Sequence, residues 1–390
     1  CERGAPVGDL TKFVRANLSD AGLSEQSIAT IGSIDIKVDE PAMKALACDL
    51  DKPFRVMTAA TLEAETSRLK NPSDVVFAET GCHGVAEGSA LALGGNKSEL
   101  ILEKQKDAKH TVAIARAPKV DVENIGRIPG KLFLVGIGPG NVEWRTKEAV
   151  DALREADEIV GYQLYLDLVS ELITGKNTHN SELGEEEARA RRAIELAAEG
   201  KTVALVCSGD PGIYALATLA FELIDRADNR AWSGIEVITC PGVSAFQAAA
   251  ARIGAPVNHD FCTISLSDLL TPRADIIRRL NAAAEGDFVI AFYNPVSKTR
   301  RTLLAQARDI LLKHRPSDTP VMLASSLGRP EEHVRYRRLD ALQVDEVDML
   351  TVVLIGSSNS KLAQLGEGPR MYTPRGYARK IDGDLSQHAS

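Results

Sequence analysis

The stretch KLFLVGIGPG at residues 131–140 decides the fold. It opens on an apolar run without alternation, the mark of a strand buried on both faces of a parallel sheet. A glycine-rich turn follows at once, and then the periodicity of a helix over 146–156. Strand, turn and helix in that order are the unit of a parallel α/β sheet. Outward from this unit the alternation continues: strand 158–161, helix 185–199, strand 202–207, helix 213–226, strand 235–240, helix 243–253. After Gly254-Ala255-Pro256 the pattern changes register. Strands at 261–265, 288–292, 320–324 and 351–355 and helices at 274–284 and 299–314 make a second lobe. Upstream, PKVDVENIGRIPG (118–130) carries Pro, Gly and Asn without periodicity and reads as a linker. Before it lies a smaller α/β block whose last strands are ELILEK (99–104) and TVAIARA (111–117). The expected class is α/β: a small domain over 1–118, a linker over 119–130, lobes over 131–254 and 255–366, and a tail over 367–390 without compact structure at its end.

Composition supports this outline. The chain has 390 residues, two or three domains at ~150 residues each. With a net charge of −8 it lacks the basic balance that general nucleic-acid or anionic-membrane binding requires. No apolar run approaches the ~20 residues of a membrane span. The six cysteines form no CxxC pair and stand at no zinc-finger spacing. They read as reduced, mostly buried thiols of a cytoplasmic protein, and no metal site is expected. The chain begins at Cys1, without Met and without a charged-then-apolar leader.

The glycine loops exclude two familiar phosphate binders. In VGIGPG (135–140), Gly136 and Gly138 fit a dinucleotide fingerprint, but the sixth position is Asn141. Pro139 also removes an amide donor. GKT at 200–202 lacks the upstream glycine of a P-loop, because position 195 is Glu195. CSGDPGIYA (207–215) follows an apolar strand and precedes a helix. It therefore lies at the carboxyl edge of the sheet, where open α/β folds bind ligands. Asp210 at its crest either caps the next helix or shapes a small-molecule cleft.

Taken together, VGIGPG, GYQLY (161–165), CSGDPGIYA, PGVSAFQAAAA (241–251), HDFCTISLSD (259–268) and FYNPVSKTR (292–300) resemble the tetrapyrrole methylase family, over residues 131–380. The resemblance implies a two-lobed methyltransferase that is not Rossmann-type, with S-adenosyl-L-methionine bound between the lobes. It implies a homodimer and a precorrin-type tetrapyrrole substrate, and it allows contacts with other enzymes of cobalamin synthesis. The implied reaction methylates precorrin-3B at carbon 17 and contracts the ring. The alternative is the equivalent step on the cobalt-containing intermediate, cobalt-factor III. Carried over, the cofactor contacts are Gly209, Asp210, Pro211, Ile213, Ser244, Ala245, Phe292 and Tyr293. Gly136, Gly138, Pro139 and Gly140 are expected to face the substrate trough, and Tyr162 is expected among the substrate contacts. In the first block, IDIKVDEPAMKALACDL (34–50), FAETGCHGVAEGSALAL (77–93) and HTVAIARA (110–117) resemble the C-terminal domain of the cobalamin protein that opens the ring-A lactone. That likeness implies a first strand upstream of Cys1, and a tetrapyrrole-binding or handover role is the alternative to catalysis here.

A sulfonium methyl is electrophilic already, so the main task is placement in a dry cleft. Ring contraction also needs a general base, for which His259, Asp260 and Asp268 are candidates, with Tyr162 and Tyr165 behind them. The acetate and propionate groups of the substrate suit arginine forks. Arg300 and Arg329 lead the candidates, followed by Lys298, Arg301, Arg335, Arg337 and Arg338. In the first block Glu79, Cys82, His83 and Glu87 surround a glycine turn. Glu87 reads as a helix-terminal charge and His83 as a possible ligand or base.

Overall fold

The computed structural model describes residues 1–381 apart from 123, 183 and 298. The first unit contains α1 (Asp9–Asp20), β1 (Ile31–Ile34), α2 (Pro41–Asp49), β2 (Phe54–Met57), α3 (Ala59–Glu63), α4 (Asp74–Thr80), α5 (Val85–Gly94), β3 (Glu99–Lys106) and β4 (Thr111–Arg116). β1 and β2 pair in parallel, while β3 and β4 form a separate antiparallel hairpin. Leu10, Val14 and Leu18 of α1 and Leu46 of α2 pack with Phe54 and Val56 into one core. This is the 3.6-residue stripe of α1 laid on its neighbours.

The first lobe runs through β5 (Lys131–Gly136), α6 (Lys147–Glu155), β6 (Glu158–Tyr162), α7 (Gln163–Asp167), α8 (Ser170–Ile173), β7 (Asn177–Ser181), α9 (Glu186–Ala198), β8 (Thr202–Cys207), α10 (Ala217–Arg226), α11 (Arg230–Ser233) and β9 (Glu236–Cys240). Its sheet is wholly parallel, in the order β7-β6-β8-β5-β9. The unbroken apolar run of β5 now has its reason. Leu132 and Leu134 face the side covered by α9 and α10. Phe133 and Val135 face the other side, under α6. Two departures from the expected elements have local causes. NTHNS is too polar to read as a strand, yet it forms the exposed edge strand β7. The helix expected from 213 starts at Ala217, because Tyr214 adopts φ +53°, which no helix accommodates.

The second lobe contains α12 (Ala245–Ile253), β10 (Gly254–Ala255), β11 (Phe261–Ser265), α13 (Arg273–Glu285), β12 (Val289–Tyr293), α14 (Thr302–Leu311), β13 (Pro320–Ser325), β14 (His333–Arg338), β15 (Thr351–Ile355), β16 (Lys361–Leu365), β17 (Gly368–Tyr372) and α15 (Ala378–Ile381). The main sheet has the order β11-β12-β15-β13-β14, with only β11 and β12 parallel. α13 and α14 cover one face. Although it precedes residue 254, α12 packs on the other face of this sheet. The stretch read as a tail from 367 opens with β17, the centre of a small sheet between β10 and β16. Residues 382–390 lie outside the described residues.

The linker is pinned through Arg127 to the units on either side of it. Arg127 and Val56 exchange backbone hydrogen bonds of 2.8 Å, which lays the linker along β2. The Arg127 guanidinium then donates to the Ala198 carbonyl at the end of α9. Among the described residues no helix is long and apolar enough to cross a membrane.

Candidate active site

Three strands of the first lobe end at one edge in glycine turns. An added Cβ on Gly136 would lie 2.6 Å from the Gly209 carbonyl and 2.8 Å from the Gly242 amide. A Cβ on Gly242 would collide with the same carbonyl. Gly138 and Gly209 exchange backbone hydrogen bonds of 3.2 and 2.8 Å. The turns after β5, β8 and β9 are thus packed backbone against backbone, which residues with side chains could not allow. Asp210 braces this junction, accepting the amides of Gly212 at 2.9 Å and Gly242 at 3.2 Å. It does not cap α10, whose first residue is Ala217.

The second lobe approaches through α12 and β12. Ser244 and Gln247 form a capping box at the start of α12. The Tyr293 hydroxyl accepts the Phe246 amide at 3.0 Å, and burial pushes its phenol pKa up. Its ring lies 5.0 Å from that of Tyr214. The Tyr214 hydroxyl in turn donates to the Thr263 carbonyl at 3.0 Å, bridging the lobes. Ile213 packs into the cluster under α12. The structure therefore gathers Gly209, Asp210, Pro211, Ile213, Ser244, Ala245 and Tyr293 where the two lobes meet. Phe292, expected beside them, does not join them. Alternation along β12 turns its side chain away from Tyr293 and into the core under α13 and α14, where it is fully buried.

The glycines expected to face the trough do not form an open surface. Gly136, Gly138 and Pro139 are buried where the glycine turns meet, so they form a floor rather than an open face. Gly140 packs against the second lobe instead: its added Cβ would lie 2.7 Å from the Gly328 carbonyl and 2.9 Å from the Arg329 side chain. The Arg329 guanidinium has no hydrogen-bond or ion-pair partner among the described residues. Its charge reaches the Tyr165 phenol, opposing the burial that pushes that group's pKa up. Tyr162 lies edge-on to Tyr165 at 5.3 Å and under the Arg189 guanidinium at 5.8 Å. One Arg300 nitrogen is buried without a partner among the described residues. The other arginines serve their own lobe: Arg301 pairs with Asp345, Arg335 and Arg337 with Glu346, and Arg338 with Asp340. Lys298 lies outside the described residues.

The base candidates separate. His259 and Asp260 are exposed at the start of β11, 3.6 Å apart, beside a depression of about 320 Å³ shared with Val257 and Arg375. The end of β11 that pairs with Tyr293 is Ser265, a strand's length of roughly 15 Å away. Their assignment as bases is therefore not supported by position. Asp268 lies beyond that far end, 3.8 Å from Arg273. In the first unit Glu87 is buried and accepts amides of Lys70, Asn71 and Lys104 and the Asn71 side chain, at 2.8–2.9 Å. It binds segments together instead of serving its own helix end. His83 is held 2.9 Å from Glu63 and 3.5 Å from Asp74 and stacks on Phe77. Cys82 is buried. No group of three or more His, Cys, Asp or Glu among the described residues could hold a metal ion.

Gly242 and Tyr214 were not singled out from the sequence. The first had a signal, since PG follows β9 as GPG closes the turn after β5. The positive φ of Tyr214 had none.

Comparison with known proteins gives the family. Residues 131–343 match the family model of Tetrapyrrole (Corrin/Porphyrin) Methylases, and residues 1–115 match Cobalamin synthesis G C-terminus. A Sinorhizobium protein named precorrin-3B C(17)-methyltransferase is 42% identical over 250 residues, covering 64% of this chain and 98% of that protein. A Priestia megaterium protein named cobalt-factor III methyltransferase is 43% identical over 251 residues, covering 64% of this chain but only 46% of that longer protein. The crystal structure of the methyltransferase CobJ superposes with a TM-score of 0.58 at 38% identity, covering 63% of this chain and all of that one. The chain belongs to the tetrapyrrole methylases, a family of S-adenosyl-L-methionine-dependent methyltransferases.

Proposed function

We propose that this chain methylates precorrin-3B at carbon 17 and contracts its ring to precorrin-4, with S-adenosyl-L-methionine as donor. The observation that carries the reading is the 42% identity over 98% of the Sinorhizobium enzyme of that name. The residues present fit the donor. The glycine junction brings backbone groups to the cleft edge, and small residues at the start of α12 leave room beside them. When bound, the donor supplies an electrophilic methyl group. Asp210 holds the cradle's shape through two amides, and Tyr293 fixes the start of α12. The Tyr214–Thr263 contact ties the two lobes together beside the cradle. Arg329 and Arg300 bind substrate carboxylates. Asp268, the acid on the cleft side of β11, takes the proton released as carbon 20 leaves the ring.

Calorimetry tests the reading: micromolar binding of S-adenosylhomocysteine is expected, and no binding would overturn it. The likeness to the cobalt-factor III methyltransferase favours a second reading on the cobalt-loaded substrate, separated from the first by parallel assays on both. The family likeness further suggests a cytoplasmic homodimer. A sedimentation mass of one chain would contradict the dimer. The first unit is read as a tetrapyrrole-binding or handover module working with other cobalamin-pathway enzymes.

A further inference from the structure

The two lobes meet a second time, away from the Tyr214–Thr263 bridge, where two glycine loops lie back to back. Gly140 follows the floor of the first lobe, and Gly328 ends the turn after β13. An added Cβ on Gly328, at φ +70°, would lie 2.7 Å from the Asn141 amide. The loops meet backbone against backbone, with the Arg329 stem laid over Gly140, and among the described residues no side-chain hydrogen bond between them ties one to the other.

Arg252, on the last turn of α12, links them from outside. Its guanidinium lies 4.2 Å above the Trp144 ring, and Trp144 belongs to the same loop as Gly140. On its other side Arg252 Nε donates to Glu332 Oε1 at 2.6 Å. The second oxygen of Glu332 accepts the Gly328 amide at 2.6 Å. The circuit runs Trp144, Arg252, Glu332, Gly328 and back across the glycine contact to Gly140. Arg329 is inside it: its amide donates to the Ser326 carbonyl, and its carbonyl accepts the Glu332 amide, both at 3.0 Å. Ser326 is held at φ +52°, a conformation that persists only where its surroundings impose it. Burial raises the Glu332 pKa, but the Gly328 amide and Arg252 outweigh it and hold the carboxyl below its ordinary value. Glu332 therefore stays charged at neutral pH.

We propose that Arg252 and Glu332 form an inter-lobe clasp, and that both are positioning residues whose work is to present the Arg329 guanidinium to a substrate carboxylate. The proposal rests on the reading of Arg329 as a substrate grip. Arg252 touches neither ligand. It acts by keeping the loop that carries Arg329 registered against the first lobe.

Kinetics on the full chain with R252A, E332Q, R329A and the double variant R252A/R329A test it. For R252A and E332Q, KM for the tetrapyrrole is expected to rise about 5- to 20-fold. kcat is expected to change less than about 2-fold, with affinity for S-adenosylhomocysteine unchanged. In the R329A background, R252A is expected to add nothing further to KM, because the clasp acts through the side chain already removed. E332Q preserves shape and guards against a folding defect in R252A. Unchanged KM in both single variants, an additive effect in the double variant, or an equal loss of cofactor affinity would overturn the clasp. Loss of turnover by the parent chain would instead count against the functional reading itself.

Discussion

Gly242 shows how little room the cleft's foundation has. Its hydrogen faces the Gly209 carbonyl, and the atoms a methyl would strike are backbone. Gly242→Ala is expected to cost about 1–3 kcal/mol of stability from overpacking and to abolish S-adenosylhomocysteine binding, as thermal melts and calorimetry would show. Unaltered binding would mean the junction is not the cofactor's cradle. The cysteines give a second prediction. Burial pushes the Cys207 and Cys240 thiols up to about 11, so they stay neutral and unreactive. Cys48 is exposed. Iodoacetamide on the native protein, followed by mass mapping, should label Cys48 and spare Cys82, Cys207 and Cys240. At this scale the glycine turns were legible in sequence because glycine in a strand-end turn has few other reasons. Phe292 was misplaced because a neighbour motif does not say which of two successive side chains faces the ligand. Only the phase of the strand does.

Among elements, the long apolar strands and amphipathic helices were legible and the edges were not. β7 and β14 lie at sheet edges, where polar and charged residues are the rule. They therefore read as loop or as a basic cluster. The arginines of β14 looked like substrate grips for the same reason. Charge can be counted in sequence, but the partners Glu346 and Asp340 appear only in the fold. α5 shows the converse. Glu87 looked like an ordinary helix-terminal charge and instead joins the turn at residues 70–71 to β3. Burial pushes its pKa up, but the amides of Lys104, Asn71 and Lys70 and the Asn71 side chain prevail, leaving it below its ordinary 4.5. A carboxyl lowered by folding contributes stability above its unfolded pKa and loses it as pH falls through the folded value. The first unit should therefore weaken as pH drops below about 4.5, and Glu87→Ala should remove about 2–4 kcal/mol at neutral pH. Denaturant melts across pH would check both. An Ala variant as stable as the parent would show that the four bonds are idle.

At the scale of the molecule, the first unit docks on the edge of the first-lobe sheet opposite the cleft. Lys44 Nζ donates to the Gly234 carbonyl at 3.0 Å, and Val38 packs where a Gly234 side chain would be. Gly130 and Arg127 meet the end of α9. Gly234 and α9 precede β9 and β8, whereas Gly209 and Gly242 follow them, so a strand's length separates the dock from the cleft. The first unit is thus no lid on the active site, and any handover of a tetrapyrrole crosses solvent or another subunit. Lys44→Ala should speed amide exchange around 232–236 while leaving S-adenosylhomocysteine affinity unchanged, and a changed affinity would reveal coupling between dock and cleft. The domain order was legible from the linker's composition, but the docking edge was not, because it depends on single contacts between distant segments. The proposed reaction makes one bond, between a methyl carbon and ring carbon 17. It is tested by incubating the chain with ¹³C-methyl S-adenosyl-L-methionine and metal-free or cobalt-loaded substrate, then reading the product by NMR. The expected result is a single labelled methyl on carbon 17 of a contracted ring. A label on any other carbon, or an uncontracted ring, would contradict it.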